Sequence, residues 1–404
     1  MNKQLRKVYD VRYKMPLLIL VFGFLFFYLA NGISHVNNWN SMKNYFESEE
    51  FITDFNTNPE YYNIGYDYEK GEELFPKDIE EYRTESLQVY AKNNARVFID
   101  PNSPANEKDY LVGVDYWKNF DNQLIIITGF IVFIIGFGLF FIDLKTNYNQ
   151  FLFSLSWLKK DLFRGKIVYF ALPLLGSLAL GTLANLLISY LFIPKIYINA
   201  TFLQLLYSGF SHWSFLVLAL TGGILLGTLL GNLILGPTVV GLVLLSLLFT
   251  QELYRYVIHL VEYYTNKYIW YDFSAFFVDN PGKTGTPWFV LLLFFVLAAF
   301  AIFLAEKIYQ QISLENNGQM LTVPTLRRPV FITLATLSSL WFVLPFSGWS
   351  YYLIYREENY VFSMVRTIIV FTLCILISFL LVYIDEIPKR WNHFMHQRAL
   401  KKSI

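Results

Sequence analysis

D-L-K-T-N-Y-N-Q-F-L-F-S-L-S-W-L-K-K-D-L-F-R-G-K, residues 143–166, separates two apolar runs, 124–142 and 167–193. Each run has about the 20 mostly apolar residues that an α-helix needs to cross a bilayer. The stretch between them is too short and too charged to cross. Phe151, Leu155, Leu158 and Leu162 fall at i, i+4, i+7 and i+11, one stripe of a short helix. Lys159, Lys160, Arg164 and Lys166 crowd its C-terminal half, where the helix dipole favours cations. Two readings stand side by side. Either an amphipathic helix is held between two membrane helices and passes motion from a soluble partner into the bilayer, or a solvated loop carries the positive charge of an inside connection.

Outward from this stretch, composition places the chain. It is 55% hydrophobic, 19% aromatic and 16% charged, with a formal net charge of +1, which describes a polytopic membrane protein rather than a soluble domain. Eight segments are candidate spans: 16–34, 124–142, 167–193, 215–235, 239–256, 288–304, 330–346 and 364–384. Gln251, Glu252 and Arg255 interrupt the far end of the fifth. A chain with so many spans must satisfy its backbone hydrogen bonds within helices, so the expected fold is an all-α polytopic membrane protein. The first apolar run lacks a small-residue cleavage site and reads as a retained span.

Basic residues orient the spans. With the N-terminus inside, 18 of the 32 Lys and Arg fall on four short inside segments, including Lys3–Lys14, 143–166, 305–329 and the tail 385–404. Both termini are expected to be cytoplasmic. Residues 1–14, with Leu5, Val8, Val11 and Tyr13 among the basic positions, read either as an amphipathic elbow on the inner leaflet or as a disordered basic tail. A first span, 15–34, would follow.

Residues 35–123 carry 18 acids against 8 Lys and Arg. Their aromatic content argues for folded structure, and strand-like 86–90 and 95–99 flank a possible hairpin. We expect a small mixed α/β extracellular domain here. The core membrane helices then occupy 124–304, with the coupling segment at 144–166 and aromatic-rich outer-surface helices at 252–287. An additional pair of spans covers 330–384. Gly223, Gly227 and Gly231 stand at four-residue spacing, which allows close helix packing within the chain or across a dimer.

Several tempting sites fail. Pro281-Gly282-Lys283-Thr284-Gly285 lacks the earlier glycine of a phosphate loop, Phe277 standing in its place. The five histidines form no HExxH-like pattern, and the single cysteine, Cys374, cannot build a disulfide or a cysteine-rich metal site. The span middles lack Asp, Glu, Lys and Arg, against an ion-coupled carrier. No catalytic residue, metal site or cofactor is expected in this chain, and no nucleic-acid partner.

Ser154 to Lys166 resembles the cytoplasmic coupling segment of bacterial type-2 ATP-binding-cassette (ABC) exporter permeases. Ser154, Leu155, Lys159, Lys160, Asp161, Leu162, Gly165 and Lys166 match that pattern in order. Ser156 stands where proline is usual and Leu158 where a hydroxyl residue is usual, departures that bear on where the coupling helix starts. The resemblance implies a permease subunit in a bacterial cell membrane, without catalysis of its own, paired with a second permease subunit. ATP and Mg2+ would be held by separate ABC ATPase subunits. Leu155, Leu158 and Leu162 would dock apolar surface on the ATPase, with Lys159, Lys160 and Asp161 as a polar rim. The substrate would be amphipathic, lipid-like or a peptide. The alternative is a non-transporting sensor or resistance protein whose acidic extracellular domain binds a cationic peptide.

Overall fold

The computed structural model describes residues 3–67, 72–89, 122–198, 200–248, 288–313, 315, 318–343 and 360–388. Among them are six helices long and apolar enough to cross a membrane, and the chain is an all-α polytopic membrane protein. The helices are α1 (Lys3–Phe46), α2 (Glu49–Thr57), α3 (Ile79–Ser86), α4 (Asn122–Lys145), α5 (Tyr148–Ser154), α6 (Lys159–Lys166), α7 (Leu172–Phe192), α8 (Phe202–Leu229), α9 (Leu235–Leu248), α10 (Trp288–Gln311), α11 (Arg327–Ser338) and α12 (Tyr360–Tyr383). A π-helical turn, Ile167–Ala171, joins α6 to α7. The expected fifth and seventh spans are represented by α9, 14 residues long, and by α11 with a further π turn, Ser339–Val343; neither reaches spanning length within the described residues. The expected outer-surface helices at 252–287 lie outside them.

The chain divides into two compact units. The first comprises residues 1–129, 165–218 and 277–296. Its frame is α1 packed along α7. At 44 residues, α1 is about 65 Å long at 1.5 Å per residue, twice the hydrocarbon thickness. It runs unbroken through Pro16 and on to Phe46. Residues 1–14 are therefore not a separate elbow: from Lys3 they form the first turns of α1. Leu5, Tyr9 and Tyr13 are buried there, and a Cβ on Gly165 would lie 2.8 Å from Leu5. Tyr169 donates from its hydroxyl to Asp10 at 2.6 Å, and the Lys166 ammonium sits 5.1 Å above the Tyr13 ring.

Farther along, α1 and α7 meet through an in-register line of polar groups. Asn185 donates to the Tyr28 carbonyl at 3.1 Å and to Asn31 at 2.9 Å, while Ser189 pairs with His35 at 3.4 Å. Residue numbers rise together on both helices, so they run parallel. Gly181 lets the Tyr28 ring approach, since a Cβ there would lie 2.8 Å from it.

Beyond Phe46 the same unit carries a small cap of helices and turns. Phe46, Phe51, Phe55, Tyr62 and Tyr82 pack ring against ring at 5.0–6.1 Å. Ser48 and Asp78 cap α2 and α3 by accepting from Phe51 N and Glu81 N. Arg83 donates to the Phe46 carbonyl and so closes the end of α1. The strands present are β1 (Gly65–Asp67) and β2 (Glu72–Leu74), an antiparallel pair. The hairpin expected at 86–99 is not formed by residues 86–89, which end α3 and follow it; its remainder lies outside the described residues.

The second unit comprises residues 130–164, 219–276 and 297–404. Here α4 and α8 touch backbone to backbone: a Cβ on Gly223 would lie 2.0 Å from the Phe133 carbonyl oxygen, one on Gly227 2.3 Å from that of Phe137, and one on Gly136 2.3 Å from that of Leu220. Of the three glycines expected to pack helices, Gly223 and Gly227 do so within the chain. Gly231 lies past the end of α8 and instead admits the chain at Gln319, whose carbonyl oxygen is 2.7 Å from its Cβ direction. The core of this unit gathers Phe133, Phe137, Phe141, Leu230, Val239, Val240, Met320, Leu321 and Val382.

Gly223→Ala or Gly227→Ala must push α4 from α8, and overpacking of this kind costs about 1–3 kcal/mol or more. A lowered Tm in detergent is the expected reading. Gly241→Ala, whose Cβ meets nothing within 4 Å, is the control and should leave Tm unchanged or slightly raised.

In the cap, the Tyr62 hydroxyl donates to Asp54, as does Asn58 Nδ2 at 2.8 Å. Together they hold the Asp54 carboxyl below the usual carboxylate range, while the Tyr62 hydroxyl beside it is pushed up to about 12. A carboxyl depressed in the folded chain stabilises the fold above its ordinary range, and that contribution is lost as pH falls through the folded value. Tyr62→Phe should return Asp54 toward ordinary titration, followed by carbon-13 NMR of the Asp carboxyls in the whole chain; an unmoved midpoint would rule the contact out.

Candidate functional site

The segment between α4 and α7 is two helices with a corner. After Lys145, Asn147 takes a left-handed conformation, φ 58°, which asparagine tolerates better than most residues. It redirects the chain into α5. That helix stops at Ser154, whose hydroxyl donates to the Phe151 carbonyl at 2.7 Å and competes with the helical ladder. Leu155 is extended, φ −77° and ψ 155°. Helix α6 starts at Lys159, and the amides of Asp161 and Leu162 bond back to the Leu158 carbonyl at 2.9 and 3.1 Å. The single helical stripe expected from Phe151 to Leu162 is thus interrupted at 155–158.

The interruption sorts the expected contact residues. Leu158 stands at the corner, 71% exposed, and Phe151 is 49% exposed. Lys160 and Asp161 are exposed beside them, and Leu155 and Lys159 are half-buried. Leu162 is 1% exposed and belongs to the core of the chain, so it cannot offer a docking face. Phe151, which the sequence placed on the stripe, is the additional apolar residue at the surface.

A tightly packed seat holds this corner. Tyr309 of α10 lies against Phe140, Phe153 and Phe163 with ring centroids 5.5–5.7 Å apart. Its hydroxyl reaches Asn149 at 3.4 Å. Lys159 donates to the Ile312 carbonyl at 2.7 Å, closing the C-terminal end of α10, and its ammonium lies 4.7 Å from the Phe153 ring centroid. Arg164 grips Glu306 with both branches of its fork, at 2.9 and 3.2 Å, a bidentate pair of the strong geometry. Such a seat can transmit displacement at the corner into α10 and α6 as rigid bodies. Among the described residues no group of three or more His, Cys, Asp or Glu is placed to hold a metal ion.

One buried group escaped the sequence reading. The fourth apolar segment of the sequence, 215–235, starts just after His212 and places it near a span end. Helix α8 begins at Phe202, so His212 sits well inside it, 0% exposed, with Nε2 2.8 Å from the Tyr28 hydroxyl. The signal was present: residues 202–210 are mostly apolar, and Ser208, Ser211 and Ser214 are short enough to remain in a membrane helix. The pair ties α8 to α1 within the first unit.

No protein-family model, curated protein or solved structure matches this chain. The site is therefore read from its own geometry.

Leu162→Glu should lower the Tm of the isolated chain sharply, because a buried Leu is lost and a charge enters the core. Leu158→Glu should change stability by no more than about 0.5 kcal/mol, as surface changes do, and so leave Tm close to that of the parent. Equal losses for the two variants would contradict this sorting of exposed and buried positions.

Proposed function

We propose that the chain is the permease subunit of an ABC exporter, moved by a separate ATPase that docks on the 151–161 corner. The observation that carries the reading is the corner itself. An exposed Leu158, with Phe151, Lys160 and Asp161 around it, stands over a seat in which Phe140, Leu152, Leu162, Phe163 and Tyr309 are buried. A freely solvated loop has no need of Leu152, Leu162, Phe163 and Tyr309 packed beneath it. In this reading eight helices cross a bacterial cell membrane, with both termini cytoplasmic. Residues 35–123 would be the extracellular domain. ATP and Mg2+ bind to the ATPase, a second permease subunit completes the pathway, and the cargo is amphipathic, lipid-like or a peptide. Leu155 and Lys159 support the corner, and Leu162 anchors it from within.

The sensor reading, a cap binding a cationic peptide, draws on acids such as Glu49, Glu50, Glu80 and Glu81. Those residues occupy the first turns of α2 and α3, where they complement the helix dipoles. Helix formation already accounts for them, so the permease reading is preferred.

Co-expression of the full chain with a candidate ABC ATPase, followed by capture in detergent, tests the proposal. Burying a Leu contributes about 1.5–3 kcal/mol, so Leu158→Glu should weaken capture at least about tenfold, while Glu60→Lys at an exposed position of the cap should not. Undiminished capture by a folded Leu158→Glu chain would refute docking at this corner.

A further inference from the structure

The connection from α10 to α11 falls in 305–329, which the sequence reads only as a cytoplasmic connection. Within it, residues 318–323 are laid into the second unit as a strap. Met320 and Leu321 are 0% exposed, and Thr322 and Val323 are nearly as buried. Leu321 forms an antiparallel bridge with Leu230. Gly231 N donates to the Met320 carbonyl at 2.9 Å and Thr322 N to the Leu229 carbonyl at 3.0 Å. The Thr322 hydroxyl adds a bond to the Thr228 carbonyl at 2.8 Å, and Asn232 Nδ2 reaches the Gly318 carbonyl at 3.1 Å. Carbonyls at the end of α8, which the helix itself cannot satisfy, thus find their partners on the strap.

Two further sets of bonds leave it. On one side the Asp385 carboxylate, just past α12, accepts from Met320 N, and Arg327 bridges Glu386 and the Gln319 side-chain oxygen. On the other side the Lys145 ammonium donates to the Gly231 carbonyl. Lys145 is the last residue of α4 and the threshold of the α5–α6 corner. A continuous line therefore runs from Asp385 through Met320 and Gly231 to Lys145, and every member lies in one compact unit.

We propose that the strap is a latch. The last helix pair, through Asp385 and the Arg327–Glu386 ion pair, holds 318–323 under the end of α8, and the held strap fixes the hinge at 145–147 from which the coupling corner swings. This gives α11 and α12 a role: they set how freely the corner moves. Its use in transport rests on the permease reading, whereas the mechanical link does not.

The experiment reads the link alone, without ATPase or substrate. Hydrogen–deuterium exchange of the full chain in detergent is compared with that of Asp385→Ala. Losing a charge-assisted hydrogen bond corresponds to about tenfold or more in a local opening equilibrium. Exchange at 318–323 should rise by about that factor, and exchange at 146–155 should rise with it, while α1 and α7 keep their protection. A looser strap with an unchanged 146–155 overturns the proposal and leaves the strap a local anchor; an unchanged strap overturns it as well. Where Asp385→Ala loses protection in α1 and α7, Asp385→Asn replaces it, keeping size and an acceptor but not the charge, and is judged by the same two segments. Intact capture of an ATPase beside an absent link, or the reverse, separates failure of the latch from failure of the docking proposal.

Discussion

At Gly223 and Gly227 the backbone of α8 lies directly on that of α4, occupying space that any side chain would need. In a bilayer little hydrophobic force draws helices together, because lipid tails are as apolar as the side chains. Close packing and polar contacts must supply the association. This approach also fixes register. The end of α4 leads into the α5–α6 corner, and the end of α8 receives the strap. Sliding one helix past the other by a turn, about 5.4 Å, would part Lys145 from the Gly231 carbonyl. The glycines therefore determine which elements at these helix ends can meet.

The first unit uses polar groups to the same end. Tyr28, Asn31 and His35 on α1 stand at i, i+3 and i+7, and Gly181, Asn185 and Ser189 on α7 receive them in the same order. Hydrogen bonds between membrane helices contribute modestly, about 0.6–2 kcal/mol each. Their larger effect is specificity, because a slip of one residue would leave several buried polar groups without partners at once. His212, bonded to Tyr28, extends this matching to a third helix. A buried histidine in a membrane helix invites a proton-relay reading, but its described contacts fit a helix tie.

Hydropathy made the membrane helices legible, and the basic residues near 143–166 marked the segment that turned out to be structured. What the sequence hid was hidden for physical reasons. Periodicity assumes an unbroken helix, so Phe151 and Leu162 seemed to share a face; Ser154 and extended Leu155 break the ladder and send one outward and the other into the core. An apolar window ends where polarity begins, yet α1 continues as a helix past the apolar run because Trp39 and Phe46 have partners in the cap. Gly231 continued the spacing of Gly223 and Gly227, although the helix had already ended. The strap carried no local signal, for its burial depends on Asp385 and on the end of α8, both distant in sequence.

Under the permease reading proposed above, the 151–161 segment would receive force from outside and would have to reconcile two demands. It needs exposed apolar surface for a partner, and it must not yield locally when pushed. A continuous amphipathic helix with its apolar stripe turned outward meets the first demand but leaves little to brace it. The broken arrangement divides the tasks. Leu152, Leu162 and Phe163 turn inward to the Tyr309 seat, while Phe151 and Leu158 turn outward at the corner. Arg164 and Lys159 then fasten α6 to α10 through Glu306 and the Ile312 carbonyl. Displacement at Leu158 is resisted by packed rings and a bidentate ion pair, so it is carried into whole helices rather than absorbed by bending of the corner. The same residues that remove Leu162 from the docking surface are those that make Leu158 an effective handle.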